Sequence, residues 1–145
     1  MTDKQYISHL WLSRAWDADK EIIALTKARE KLLEQGVGRY DNKKASGSAE
    51  ANPNEARLIE YSYLSEQIEK KSRKLANENI RTLELIDKLA NNTYRSLLIC
   101  RYIDQASWEA AGKIIHYEKS QAQKLGVEAL EAIYEIIPKG EVILK

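Results

Sequence analysis

Apolar and small side chains recur in steps of three and four residues from about Lys4 to Gln35. The positions that carry this pattern are Ala15, Ala18, Ile22, Leu25 and Leu32, with an interruption at Arg29. Such steps place side chains on one face of an α-helix, as in a coiled-coil seam, so the pattern predicts one long helix. A helix of this length extends about 45 Å at ~1.5 Å per residue, more than a small globule buries. It therefore needs a partner helix.

A second seam follows a polar segment. Gly36 and Gly38 are expected to end the first helix, because glycine tolerates the positive φ found just past a helix C-terminus. Residues 37–54 are rich in Gly, Ser, Asn and Lys, which predicts a flexible loop. The next helix, with Asn54 as N-cap, runs to about Asn91 on a seam of Leu64, Ile68, Leu75, Thr82, Ile86 and Leu89. Two such helices predict an antiparallel hairpin over 1–91, whose exposed outer seam favours a homodimer.

Three shorter helical patterns follow the break at 90–92. TYRSLLICRYI turns Leu97, Leu98 and Tyr102 inward. WEAAGKII begins after Ser107, a good N-cap. A turn at 116–117 leads to a last helix, which ends before Pro138 and buries Ala122, Leu125, Ala129, Leu130 and Ile133. The sequence thus predicts an all-α protein with a helix-turn-helix unit over 92–137.

The tail, residues 138–145, carries the apolar Val142, Ile143 and Leu144 after a Pro and Gly break. Two interpretations stay open for these β-favouring residues. They fold back on the helices, or they dock on a partner protein.

One segment resembles a known family. RYIDQASWEAAGKIIHYEKSQAQKL, followed by EALEAI, is similar to the C-terminal segment of the sigma-factor-like late-gene regulators of phages and prophages of Gram-positive bacteria, the RinA/ArpU type. The shared pattern is an Arg-Tyr-Ile/Leu helix end, Ser-Trp-Glu, a turn, and a recognition helix with an Ala-Leu pair. MTDKQYISHLWLSRAWDADKEI, the polar mid-loop and IRTLELIDKLANNTYRSLLICRYI occupy the places of that family's N-terminal helix, loop and second helix. The resemblance implies a transcriptional regulator that binds double-stranded DNA through a unit like the fourth region of sigma factors.

Carried over by position, the resemblance implies a DNA-contacting surface on the last helix. Its residues are Lys119, Ser120, Gln121, Gln123 and Lys124, joined by Lys113 from the preceding helix. Gln reads adenine bidentately, and Lys contacts phosphate or guanine.

The chain departs from the family pattern at two places. Ala110, Ala111 and Gly112 stand where the family tends to have Glu-Ile-Ala, and we expect this loss of an aliphatic residue to weaken the core of the motif. Glu118 stands where Ser is usual, which gives a poorer N-cap and an acid at the end of the helix that approaches DNA.

The charge balance gives no general attraction to nucleic acid. The chain carries a net charge of +1, and residues 93–137 carry five Lys and Arg against six Asp and Glu. DNA-binding domains normally have a larger basic excess, so DNA reading by one copy should be weak and salt-dependent. The alternative function is that of a phage-encoded inhibitor of a host or phage protein, for example an anti-CRISPR, which uses the helix-turn-helix only as scaffold.

Several other residue patterns leave alternatives open. The cluster of Lys70, Lys71, Arg73 and Lys74 is either a solvated face or a patch that contacts phosphate or a partner. Trp11 and Trp16 are either core anchors or a partner surface.

The remaining chemistry points to no enzyme. Two histidines and the single Cys100 have no metal-ligand spacing, and nothing places a catalytic group, so we expect neither metal nor cofactor. One cysteine, no signal-peptide pattern and no apolar run of roughly 20 residues favour the cytoplasm of a bacterial host cell, away from membranes.

Overall fold

The computed structural model describes residues 1–35 and 53–142, and every regular element in these two ranges is a helix. The described chain is therefore all-α. The elements are α1 (Asp3–Leu12), α2 (Trp16–Glu34), α3 (Pro53–Ile86), α4 (Asn92–Leu98) continued by a π-helical turn (Ile99–Ile103), α5 (Trp108–Ile114), α6 (Lys119–Ile133) and a 3₁₀ turn (Lys139–Glu141). None of the described helices is long and apolar enough to cross a membrane.

The single helix predicted over residues 4–35 is wrong, because α1 ends at Leu12 and α2 begins at Trp16. The carbonyl of His9 accepts both the backbone N–H of Ser13 at 2.9 Å and the Ser13 hydroxyl at 2.7 Å. Arg14, in the break, donates from Nε to Glu78 at 2.8 Å and from Nη1 to the Thr82 hydroxyl at 3.0 Å. The break thus depends on contacts with α3, which periodicity within one segment does not reveal.

The described residues form two compact units, residues 17–76 and residues 1–16 with 77–145. This division differs from the predicted boundary at residue 91. The reason is that α1 and the last turns of α3 contribute Trp11, Leu12 and Ile86 to the same core as α6. The predicted loop also ends earlier than expected, since Pro53 and Asn54 are helical. The rest of that loop, with Gly36 and Gly38, lies outside the described residues.

The unit of residues 17–76 pairs α2 with the first part of α3. Leu32 and Leu64 are buried together, with Leu25 and Tyr61 packed against them. Polar contacts run in opposite directions along the two helices: Gln35 accepts from Arg57, Arg29 donates to Ser65, and Glu21 pairs with Lys71. As the residue number increases along α3, the number of the contacted residue on α2 decreases, as in an antiparallel pair of helices.

The other unit has a core built from α1, the end of α3, α4 and α6. The buried residues are Trp11, Leu12, Ile86, Leu89, Leu98, Tyr102, Ala129, Leu130, Ile133 and Ile137. Trp11 is 1% exposed, and Trp16 packs against this core while its indole N–H donates to the carbonyl of Tyr102 at 3.0 Å. Both tryptophans therefore act as core anchors in the structure.

The start of the tail folds back on this core. Glu141 accepts a hydrogen bond from Arg81 at 2.6 Å and another from the indole N–H of Trp11 at 3.4 Å. Val142 packs against the buried cluster. The fold-back interpretation thus applies up to residue 142, and Ile143 and Leu144 lie outside the described residues.

A half-buried histidine lies among aromatic rings in this unit. Nδ1 of His9 is 2.8 Å from the hydroxyl of Tyr102, and the ring meets Trp16 edge-on at 5.9 Å between centroids. The guanidinium of Arg101 lies 5.1 Å from the centroid of the Trp16 ring. Burial, followed by the charge of Arg101, lowers the pKa of His9 below its ordinary value of 6.5.

We predict that the free energy of unfolding falls as the pH drops through 6.5 and below, with a contribution from His9. The unfolded chain, in which His9 titrates near 6.5, binds the proton more readily than the folded chain. The contribution of neutral His9 to the free energy of unfolding is therefore fully present well above pH 6.5 and is lost as the pH falls below it. Urea titrations of wild type and His9→Gln between about pH 8 and 5.5 measure it. A wild-type slope over this range no steeper than that of the variant would contradict the prediction.

Candidate nucleic-acid interface

The helix α5 begins as the sequence predicts. The hydroxyl of Ser107 accepts a hydrogen bond from the backbone N–H of Ala110 at 3.1 Å, so Ser107 is confirmed as the N-cap. Glu109 lies in the first turn, where its charge is favourable with the helix dipole. The start of α5 is therefore determined by local sequence.

The turn between α5 and α6 is a Schellman motif. The N–H of Tyr117 donates to the carbonyl of Gly112 at 2.8 Å, and the N–H of His116 donates to that of Lys113 at 3.3 Å. His116 carries the left-handed conformation that this motif requires, with φ of 65°. Glycine is the usual residue there, since a Cβ costs energy in this region. The turn therefore forms although its left-handed position is occupied by histidine and not by the favoured glycine.

Small residues let α6 approach α5 closely. A Cβ on Gly112 would lie 2.7 Å from the Cβ of Ala122, and a Cβ on Gly126 would lie 2.5 Å from Cζ3 of Trp108. Ala111 and Ala122 are fully buried with Leu97. Ala111 is fully buried and a Cβ on Gly112 would have no room, so α5 and α6 are closely packed at these two residues. The expected loss of stability from the missing aliphatic residue stays a prediction.

One side of α6 is buried against neighbouring helices, and the other side is exposed to solvent. The buried side consists of Ala122, Gly126, Ala129, Leu130 and Ile133. All five positions carried over to α6 are exposed, and so is Lys113: Lys119, Ser120, Gln121, Gln123 and Lys124. They occupy the first two turns of α6, and Lys113 lies one residue before the end of α5. The six predicted residues therefore lie in the N-terminal half of α6 and at the end of α5.

Sequence reasoning missed Ile114, which is 61% exposed between Lys113 and the turn. It also missed that Gly126 and Trp108 together position α6. A glycine in the middle of an amphipathic helix is the one signal that pointed to such a contact, since it costs about 1 kcal/mol relative to alanine.

The charges on α6 are segregated along the helix. Lys119 and Lys124 lie in the first two turns, with Glu118 as the nearby acid. Glu118 is the N-cap, but its side chain makes no capping hydrogen bond. The acidic side chains in the later turns of α6 accept hydrogen bonds from other helices. Glu128 accepts one from the Tyr94 hydroxyl at 3.2 Å, and Glu131 accepts one from the side-chain amide of Gln5 at 3.3 Å. The N-terminal half of α6 is therefore more basic than the average over 93–137.

The basic cluster on α3 is largely paired with carboxylates. Lys70 binds Glu66 at 3.2 Å, Lys71 binds Glu21 at 3.0 Å, and Arg73 binds Glu69 at 2.6 Å. Lys74 is exposed and forms no ion pair within residues 1–35 and 53–142. These contacts favour a solvated, internally paired face, and contact of this cluster with phosphate stays a prediction.

No family model matches the sequence, and no curated protein or solved structure shows significant similarity to it. The resemblance to the RinA/ArpU-type regulators therefore rests on the residues quoted above.

We predict that Gly126→Ala lowers the free energy of unfolding by about 1–3 kcal/mol, although alanine favours helices. The new Cβ would lie within 2.8 Å of three atoms of the Trp108 ring. That ring is packed against Tyr102 and Arg101 and has little freedom to shift. Chemical denaturation measures the change.

Gly140→Ala is the matched control, because a Cβ there meets no atom within 4 Å. It should change the stability by less than about 0.5 kcal/mol. Equal effects of the two substitutions would contradict the packing argument.

We also predict that His116→Gly raises the free energy of unfolding by about 0.5–1 kcal/mol. Glycine removes the cost of the left-handed conformation, about 1–2 kcal/mol, and part of this gain is offset by the greater freedom of glycine in the unfolded chain. His116→Ala keeps the Cβ and should bring no such gain. Thermal and urea unfolding compare the two variants, and a larger gain for alanine would count against the strain.

Proposed function

We propose that the protein binds double-stranded DNA through the first two turns of α6. The observation that carries the proposal is the exposure of Lys119, Ser120, Gln121, Gln123 and Lys124 on one short stretch of helix, next to a tight turn. A helix presented in this way fits the major groove, which admits one α-helix. We infer that the chain acts as a transcriptional regulator in a phage or prophage, as its resemblance implies.

The proposed contacts divide into two kinds. Gln121 and Gln123 have the donor and acceptor pair that matches the major-groove edge of adenine, so they are the candidates for base reading. Lys113, Lys119 and Lys124 supply charge for phosphate contacts, which position the helix but carry no sequence information. The exposed Ile114 offers an apolar contact for a thymine methyl group.

The distribution of charge supports DNA binding better than the net charge does. At ~1.5 Å per residue, Glu128 and Glu131 lie about 14 and 18 Å along the axis from Lys119, and about 6 and 10 Å from Lys124. Screening at physiological salt acts over about 8 Å. Their repulsion of a phosphate is therefore small at Lys119, whereas Glu128 weakens phosphate binding at Lys124.

A dimer completes the proposal. Three lysines per copy give modest affinity, and two linked copies make the second contact effectively intramolecular. The alternative is an inhibitor that binds another protein and keeps the helix-turn-helix only as scaffold. A poorly packed core between α5 and α6 would favour it, but Ala111 is fully buried and Gly112 has no room for a Cβ.

We predict that the double variant Lys119→Glu, Lys124→Glu loses at least about tenfold in DNA affinity, since each phosphate contact adds to counterion release. The slope of log affinity against log salt should fall by about 2 per copy for the same reason. Fluorescence anisotropy with DNA fragments from around the gene, at several salt concentrations, measures both quantities.

The matched control is Lys20→Glu, Lys27→Glu, which makes the same charge change at exposed positions of α2. It should leave binding within about twofold if the contact is local. Glu118→Ser should strengthen binding, because it removes an acid and adds a better N-cap. A folded dimer that binds none of the fragments, even at low salt, would favour the protein-binding alternative.

A further inference from the structure

The outer face of α3 is a continuous exposed stripe. Its members recur in steps of three and four residues and all are exposed: Glu55, Ile59, Ser62, Tyr63, Glu66, Lys70 and Lys74. The opposite side of α3 packs against α2 through Tyr61 and Leu64. Ile59 is 65% exposed and Tyr63 is 60% exposed, which is unusual for large apolar side chains so close together.

The unit of residues 17–76 has little core to hold it. Among its described side chains, Leu32 and Leu64 are the buried ones. Paired helices derive most of their stability from packing of an apolar face, and two buried leucines supply only about 3–6 kcal/mol. Burial of Ile59 and Tyr63 against another surface would add to it.

The charges along the outer face suggest what that surface is. The N-terminal part carries Glu55 with the apolar Ile59 and Tyr63, and the C-terminal part carries Lys70 and Lys74. When two copies of α3 lie antiparallel, the acidic end of each meets the basic end of the other. Glu55 and Lys74 are both exposed and form no ion pair within the described part of the chain, so both remain available.

We propose that a second copy of this chain packs on the outer face of α3, antiparallel and about a two-fold axis midway between Tyr63 and Glu66. Glu55 of each copy pairs with Lys74 of the other, Ile59 lies along the aliphatic stem of Lys70, and Tyr63 lies beside the axis, opposite Glu66. The interface is isologous, so each contact occurs twice. This surface deepens the proposed function, because it supplies the dimer on which that function depends.

Other occupants fit the face less well. The connecting sequence 36–52 contains Val37 and Tyr40 as its large apolar residues, too few to cover the exposed side chains at this end of the helix pair. Nucleic acid is disfavoured, because the described residues 17–35 and 53–76 carry nine Lys and Arg and nine Asp and Glu. A surface with equal numbers of positive and negative charges can bind the same surface of a second copy without net electrostatic repulsion.

Sedimentation equilibrium of the full chain, without DNA and over a range of protein and salt concentrations, tests the proposal. Wild type should show a reversible monomer–dimer equilibrium. Ile59→Lys should weaken dimerisation at least about tenfold, because it replaces an apolar contact by a charge opposite Lys70. Ile80→Lys is the control: Ile80 is 53% exposed on the same helix but lies beyond Lys74, where the outer face ends, and its substitution should leave the dimer intact.

Charge exchange tests the antiparallel arrangement. Glu55→Lys alone and Lys74→Glu alone each create two like-charge pairs, and each should weaken the dimer about tenfold at low salt. The double variant Glu55→Lys, Lys74→Glu restores both pairs and should restore the wild-type association. A parallel contact would set residue 55 against residue 55, and the double variant would then show no recovery.

Three results would overturn the proposal. These are a monomeric wild type at all concentrations up to about 100 µM, a dimer as strong in Ile59→Lys as in Ile80→Lys, and a double variant no stronger than the single ones. Circular dichroism of each variant shows whether it is folded. Since no DNA is present, failure here leaves the Lys119 and Lys124 test unaffected, and failure of DNA binding leaves the dimer surface unaffected.

Discussion

The contact between Gly126 and the ring of Trp108 is the constraint on which the rest of the candidate interface depends. A Cβ at residue 126 would overlap the indole, so α6 lies at this distance from α5 only because that Cβ is absent. The ring is held in turn by the guanidinium of Arg101, 5.5 Å from its centroid, and by Tyr102. With α6 held on its small-residue side, its polar N-terminal turns remain in solvent.

The same residues connect this contact to the N-terminal helices. Arg101 also lies over Trp16, and Trp16 stacks on Tyr102 with 5.5 Å between centroids. The hydroxyl of Tyr102 contacts His9, and burial raises its pKa well above the ordinary value. One aromatic and cationic cluster therefore packs α1, the start of α2, the π-helical turn and α5 together, which explains why α1 belongs to the unit that contains α6.

Local sequence predicted those features that are determined locally. The all-α class, the N-cap Ser107 and the starts of α5 and α6 follow from periodicity and capping, which act within a few residues. The predicted end of the last helix, just before Pro138, is wrong, because α6 ends at Ile133. The break after Leu12 and the close packing at Gly112 could not be predicted from local sequence, because both depend on side chains distant in sequence. Glu78 and Thr82 bind Arg14, and Ala122 packs on Gly112. The six candidate residues came from the resemblance; the structure shows that they are exposed, and their contact with DNA stays a prediction.

Charge illustrates the difference between composition and placement. Over residues 93–137 the acids outnumber the bases, which argues against DNA binding when only composition is considered. In the structure, Glu128 and Glu131 are hydrogen-bonded to Tyr94 and Gln5 on neighbouring elements, whereas Lys119 and Lys124 are exposed in the N-terminal half of α6. A phosphate responds to charges within a screening length, so the local arrangement determines the affinity. In the proposed function, a few lysines per copy give useful affinity only when more than one copy binds, and the proposed dimer surface on α3 would supply the second copy.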